Sequence, residues 1–394
     1  MTFSTLPLSY CTNVHPGRTV AEVTAGLSDY TADVRQQLDA PMAAGLWLAR
    51  SVTTELLQSE AALENLAQTL WQHDLSCYTL NAFPYGDFHT DRVKEQVYLP
   101  DWASRDRLSY TQDCARILAQ LMPEGGEGSI STVPLGGRMN PTGPDFHATC
   151  FHQLIQLAGF LNDLYEETGR RIRLAVEPEP LCEMSSIPDD VIPQFKMLFE
   201  MADALQCLPK VQQFIGVCFD VCHQAVVFEE VTKSIDQLED IGVRLNKIHI
   251  TNAIELLDPA NNPAGRKALL QYVEPRYLHQ TFARMPDQSV VSRLDLLQED
   301  ILLDPPDEFL SAEAWRVHFH VPVFADKLGP LRTTRPDLKA ALRRVKLLNY
   351  APHLEVETYT WPVMPDAPNE DTQTLSAQIT TELRSAYNLL SELS

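Results

Sequence analysis

The chain has 394 residues, 44% of them hydrophobic and 21% charged, and no apolar run nears the roughly 20 residues that span a bilayer. With 53 acidic against 31 basic residues it carries a net charge of −22, a field that repels phosphate backbones and anionic lipid, so neither nucleic acid nor membrane insertion is expected. Eight cysteines are scattered without a paired CxxC, which excludes a disulfide framework and a zinc ribbon; buried free thiols and a cytoplasmic location are expected.

In chain order, strand-like and helix-like periodicities alternate. LSYCTNV (8–14) opens as a strand, followed by helical patterns over Thr19–Leu38 and Val52–Trp71, so the first crossover looks doubled. SCYTLNAF (76–83) is the second strand and SISTVPL (129–135) the third, with helices over Ser104–Met122 and His147–Glu167 after them. IRLAVEPE (172–179), FIGVCFDV (214–221) and NKIHIT (246–251) are the fourth to sixth strands, with helices over Pro193–Leu205 and Val226–Ile241 between them. The segment Asn252–Glu313 is the longest interruption and is expected to be a lid or added subdomain, with a helix over Ala264–Ala283. RVHFHVPVF (316–324) and HLEVETYTW (353–361) complete eight strands, with helices over Pro336–Leu348 and Thr372–Leu393. Eight strands alternating with helices predict an α/β fold, a (β/α)8 TIM barrel with an enlarged loop after strand six, in one domain spanning residues 1–394.

Four of these strands end in a ligand of hard-cation type: Glu177, Asp220, His249 and Glu357. Strand ends converge in a barrel, so the four are expected to meet at one mouth. Two Glu, one Asp and one His make an oxygen-rich set suited to Mn, Mg, Co or Zn with open positions, whereas a structural zinc site would demand Cys and more His. Such a divalent metal can act as a Lewis acid on a substrate's carbonyl and neighbouring hydroxyl, while flanking carboxylates remove and return a proton. Side chains alternate along a strand, so Glu355 shares a face with Glu357, and the later member, nearer the mouth, is the favoured ligand. Glu177 is favoured over Glu179 because Pro178 and Pro180 end the strand there.

This pattern resembles the sugar phosphate isomerase/epimerase superfamily, whose fold is the xylose isomerase-like TIM barrel. Asp220-Val-Cys-His223 is similar to the DxxH of ketose 3-epimerases, in which the His contacts substrate, and Glu183, six residues after Glu177, is similar to a sugar-binding Glu. The resemblance implies that Glu177 and Glu357 are both metal ligands and the acid/base pair, with Asp220 and His249 as ligands only. Over nearly the whole chain, the runs SYCTNVHPG, TLNAFPYGDFH, VEPEP, FDVCHQAVVFE, KIHITNA and LEVETYTW resemble the EboE metabolite traffic proteins, a bacterial branch of that superfamily. That resemblance implies a role in moving or maturing a small metabolite precursor and leaves the substrate open.

His15, His89 and His320 are further mouth candidates for substrate contact, with Asn81 and Tyr85 nearby; His318, deeper in its strand, is expected to be a satisfied core histidine. Arg92, Lys94 and Trp102 are expected on a solvated face. No GxGxxG, GxxxxGK or GxSxG motif is present, which removes dinucleotide, P-loop and serine-hydrolase readings. Three functions remain: a metal-dependent isomerase or epimerase of a small polyhydroxylated metabolite, a carrier using the same pocket, and, last, a metal-dependent phosphodiesterase, which would need extra His and a basic face.

Overall fold

The computed structural model describes residues 3, 6–140, 142–296, 301–365 and 372–393. Its strands, in chain order, are β1 (Leu8–Cys11), β2 (Met42–Trp47), β3 (Ser76–Asn81), β4 (Glu127–Thr132), β5 (Arg171–Val176), β6 (Ile215–Asp220) and β7 (Leu245–Ile250). Then follow β8 (Ile254–Leu257), β9 (Thr281–Arg284), β10 (Val290–Arg293), β11 (Ala314–Val317), β12 (Lys327–Leu328), β13 (Leu331–Thr333) and β14 (His353–Val356). Strands β1 to β7 and β14 pair in parallel and close into a barrel, β1 bonding both β2 and β14. Every residue of β1, β2, β6, β7 and β14 is buried, as expected where helices cover the outside and side chains fill the inside.

The crossover helices begin and end where their sequences dictate. Ser104 Oγ accepts from the Asp106 N–H to cap Arg105–Leu121, and Gly169, at φ +68°, ends Phe146–Thr168 in the left-handed conformation that glycine adopts without steric cost. Ser59 caps a new helix, so the pattern expected as one helix over Val52–Trp71 is two, Arg50–Gln58 and Glu60–Gln72.

Two expectations are corrected. The first crossover contains a barrel strand, β2, whose sequence MAAGLW has no β-branched residue and so no strand signature. Its Gly45 is required by packing: a Cβ there would lie 1.5 Å from the Glu355 Oε1 that reaches across the barrel from β14. Conversely, RVHFHVPVF is not a barrel strand. Its first residues lie in β11, which pairs antiparallel with β8 and β9, and the enlarged loop accordingly follows the seventh barrel strand rather than the sixth.

That insertion is a six-stranded sheet in the order β10-β9-β11-β8-β13-β12 with its own apolar core, including Ile254, Leu256, Phe309, Trp315, Val317 and Phe319. Within it, the helix expected over Ala264–Ala283 is confined to Pro263–Leu269, and Thr281–Arg284 is β9. The sheet is bonded back to the barrel mouth, the Val321 N–H donating to Asn252 O and the Val93 N–H to Arg276 O. Among the described residues no helix is long and apolar enough to cross a membrane.

Candidate metal centre

The barrel ends bring Glu177, Asp220, His249 and Glu357 together. One ligand atom from each lies within 4.8 Å of all the others, and all four residues are buried. Glu177 and Glu357 are the first residues beyond β5 and β14, Asp220 closes β6, and His249 is the last residue but one of β7. His249 Nδ1 is the hub, 3.0 Å from Glu177 Oε1, 2.9 Å from Glu357 Oε2 and 3.5 Å from Asp220 Oδ2. Donors held about 2.1 Å from an octahedral cation sit about 3.0 Å from one another, so these spacings match the edges of a coordination shell. Glu177 Oε2 and Asp220 Oδ2 are buried without a hydrogen-bond partner, so acceptor capacity is left over at this point. The residues therefore fit a divalent cation held by three carboxylates and one imidazole.

The remaining carboxylate oxygens are oriented by neighbours. Asn13 Nδ2 and Asn81 Nδ2 both donate to Glu357 Oε1, at 2.9 and 2.7 Å. Asp220 Oδ1 accepts from Thr251 Oγ1 at 2.6 Å and from the His223 N–H at 3.1 Å. Without a cation, the electrostatics are those of a negative cluster around one ring. Burial raises Glu177 to about 7 against the opposing pull of His249. Burial also works against ionised Glu357, yet His249 and His320 outweigh it and hold the group at about 2. Asp220 is likewise held below its ordinary value, burial being outweighed by His223, His320 and His249. His249 is raised well above its usual range: burial favours its neutral form, but Cys218, Glu177 and Glu357 favour the charged one.

Beneath the mouth the barrel interior is polar rather than filled with branched aliphatics. Lys247, one residue pair below His249, is fully buried and ion-pairs with Glu355 Oε2, which also lies 3.2 Å from His249 Nε2. Glu355 Oε1 accepts from Ser9 Oγ at 3.2 Å. Glu355 is thus inside the barrel against Lys247 while Glu357 is at the mouth.

A cavity opens above the cluster. Its polar surface includes Asn13, Asn81, Glu177, Glu179, His223, His318 and Glu357, and its walls include Phe83, Phe88, Val97, Tyr277, Leu278 and Tyr359. Glu179 Oε1 accepts from Tyr98 Oη at 2.8 Å and Gln280 Nε2 at 3.3 Å, and burial pushes this carboxyl up to about 8. Lys94 is buried in the cavity wall, ion-paired with Asp295, instead of on a solvated face; Trp102 is buried too, its Nε1–H donating to Thr132 Oγ1 at 3.1 Å.

Other sequence-predicted residues fall elsewhere. His223 is at the cavity and His320 beside Asp220. Glu183 does not line the cavity: its carboxylate is 3.0 Å from His147 Nε2, because its N–H is bonded to Gly136 O in a separate turn. His15 is buried against Tyr10 and stacked on Tyr30, and His89 bonds Asn13 O through Nε2 at 2.8 Å, so both rings lie behind the first strand's turn rather than in the cavity. His318, expected as a satisfied core residue, lines the cavity with its Nε2 unpartnered. Tyr98 and Gln280 carried no motif; only the chain path brings them to Glu179.

No family model matches the chain, and neither does any curated protein. Solved structures do match over almost its whole length. It is similar to a D-psicose 3-epimerase solved in the presence of D-fructose, at 12% identity and TM-score 0.48, covering 98% of this chain and 99% of that one. It is similar to an IolI protein with a bound zinc atom, at 10% identity and TM-score 0.49, covering 99% of both chains. A xylose isomerase domain-containing protein from Salmonella typhimurium LT2 matches at 11% identity and TM-score 0.44, again over 99% of both chains. At such identities a likeness carries no activity across. The strand order itself makes the chain a (β/α)8 TIM barrel, with a carboxylate–histidine cluster at its mouth.

Proposed function

We propose that the protein is a metal-dependent isomerase or epimerase acting on a small polyhydroxylated metabolite such as a sugar, sugar phosphate or cyclitol. The observation that carries this is the convergence of three carboxylates on His249 Nδ1 at the floor of a cavity. When bound, a Mn, Mg, Co or Zn ion would polarise a carbonyl and its neighbouring hydroxyl as a Lewis acid. Glu177 and Glu357 flank the position from two different strands, so one carboxylate can take a proton from carbon and the other return it. Asn13 and Asn81 hold Glu357 in place, and Thr251 holds Asp220. The apolar and aromatic walls keep water from competing for the transferred proton.

The EboE-type resemblance supports a place in the processing or traffic of a metabolite precursor. All eight cysteines are free, which suits a reducing compartment and a cytoplasmic reaction. A second reading, a carrier that holds a metabolite without converting it, is favoured by one feature: Phe83, Phe88, Tyr277 and Tyr359 give the cavity a largely aromatic wall that would grip a ring-bearing molecule.

Incubation of the metal-loaded protein with candidate polyols and sugar phosphates in deuterated water separates the two. Turnover incorporates solvent deuterium at the substrate carbon, and Glu177→Gln and Glu357→Gln each reduce kcat roughly 10²- to 10⁴-fold with the fold retained. Tight binding with no exchange would leave the carrier.

A further inference from the structure

Away from the mouth, one carboxylate is buried as deeply as the cluster and pairs with no cation among the described residues. It is Glu382, 1% exposed, on the C-terminal helix Thr372–Leu393. Three donors from two segments converge on it. Thr358 Oγ1 donates to Oε1 at 2.7 Å, the Val323 N–H to the same oxygen at 3.0 Å, and the Trp361 Nε1–H to Oε2 at 3.1 Å. Thr358 and Trp361 belong to the turn that leaves β14, and Val323 to the stretch that follows β11 in the insertion. An ionised carboxylate only accepts, so it can take all three donors at once, whereas a glutamine can turn its NH2 toward one of them. Burying an unpaired charge is costly, and an apolar residue would serve helix packing alone at lower cost.

The two segments that Glu382 ties together are segments of the mouth. Glu357 directly precedes Thr358, so the carboxylate in the cluster and the hydroxyl on Glu382 hang from adjacent residues. The segments are also bonded to one another, His320 Nδ1 lying 2.6 Å from Glu357 O and Thr360 Oγ1 donating to His320 O. Glu382 joins both to the C-terminal helix, through Thr358 on one and Val323 on the other. The Glu357 carboxylate is steadied from elsewhere, by Asn13 and Asn81. Its backbone is fixed from the helix and its side chain from the β1 and β3 ends.

We propose that Glu382 is a positioning residue for the mouth, a role that rests on the reading of Glu357 as a metal ligand. Through Thr358 and Val323 it fixes the backbone from which Glu357 reaches the cation, and it touches neither cation nor substrate itself. Groups that orient a ligand without binding the metal are worth about 10- to 100-fold in metal affinity. Trp361 supplies the contrast. Its indole bonds the other oxygen, Oε2, so losing that bond loosens the helix while Thr358 keeps its acceptor.

Manganese is the probe. Mn²⁺ dissociation constants are measured by titration calorimetry on variants shown to be folded by circular dichroism. They are expected to rise about tenfold in Glu382→Gln and in Thr358→Val. Trp361→Phe is expected to lower the urea midpoint yet keep an affinity within about twofold of wild type. Thr358→Val removes one donor and leaves the carboxylate with two, so it carries the test where Glu382→Gln does not fold. Wild-type affinity in folded Thr358→Val overturns the positioning role and leaves the mouth site standing. So does a Trp361→Phe weakened as much as Thr358→Val, which would reduce Glu382 to general stability. Wild-type protein that binds none of Mn²⁺, Mg²⁺, Co²⁺ and Zn²⁺ overturns the mouth reading and the positioning role together.

Discussion

Two layers of the barrel interior, one residue pair apart, solve the burial of charge in opposite ways. In the lower layer Lys247 and Glu355 are fully buried and balance one another, a lone ammonium against a lone carboxylate. In the upper layer Glu177, Asp220 and Glu357 surround His249, and negative charge exceeds positive even if the imidazole carries its proton. Burying unbalanced charge is expensive unless it is paired or coordinates a metal. The lower pair balances its own charge, whereas in the upper set a bound cation would supply the balance. Polar residues in a protein interior are therefore not one category: the balance of charge within each layer separates scaffold from site.

The lower layer breaks hardest. Lys247→Met leaves Glu355 buried without its ammonium and should cost about 3–5 kcal/mol of unfolding free energy, while Lys247→Met with Glu355→Leu should recover most of it. Chemical denaturation of both variants checks this, and a single variant as stable as wild type would mean that the pair does not carry the frame. The upper layer should respond to cation instead. Mn²⁺ at about 100 times its Kd should stabilise wild type by about 2.7 kcal/mol, and His249→Ala should gain clearly less. An equal gain in both would place the ion elsewhere.

The smallest effect is a difference in sign with pH. In chelator, Glu177 keeps a proton up to about 7 that the unfolded chain, with its ordinary glutamate value of 4.5, has already released. The folded state then binds more protons between 4.5 and 7, so stability falls as pH rises through that window. Glu355 is opposite. Burial raises it, but Lys247 and His249 outweigh burial and hold it below 4.5, so its contribution is full above 4.5 and is lost as pH falls through its folded value. Of the decline in denaturation midpoint expected between pH 5 and 7 in chelator, the part due to Glu177 should be lost on adding cation or in Glu177→Gln, while the part due to Glu179, raised to about 8, remains. A slope unchanged by cation would detach it from the mouth.

Much of this was legible in the chain. Strand ends are written as β-branched runs closed by a polar residue, and RLAVE, GVCFD, KIHI and LEVE announced four of the eight barrel strands together with the residues at their tips. Alternation along β14 separated Glu357 from Glu355, because successive side chains point to opposite faces and the mouth selects the later of two on one face. The strand that escaped, MAAGLW, escaped for a reason its structure supplies. Its small residues make room for Glu355 and its large Trp47 packs at the mouth end, a pattern set by a partner more than 300 residues away and invisible in any local window.

By itself, then, the sequence determined the alternating architecture, the four strand-end side chains that meet at the mouth and the net charge, since each depends on local period or on composition. Only the tertiary structure decided which run closed the barrel, that His318 and His320 directly follow a strand of an inserted sheet, and that their two rings meet His223 and Asp220. It likewise withdrew Glu183, His15 and His89 from the cavity. The reason is physical: a backbone period fixes which way a side chain points from its own strand, but which groups it meets is fixed by closure of the barrel and the docking of the insertion, contacts between residues far apart in the chain.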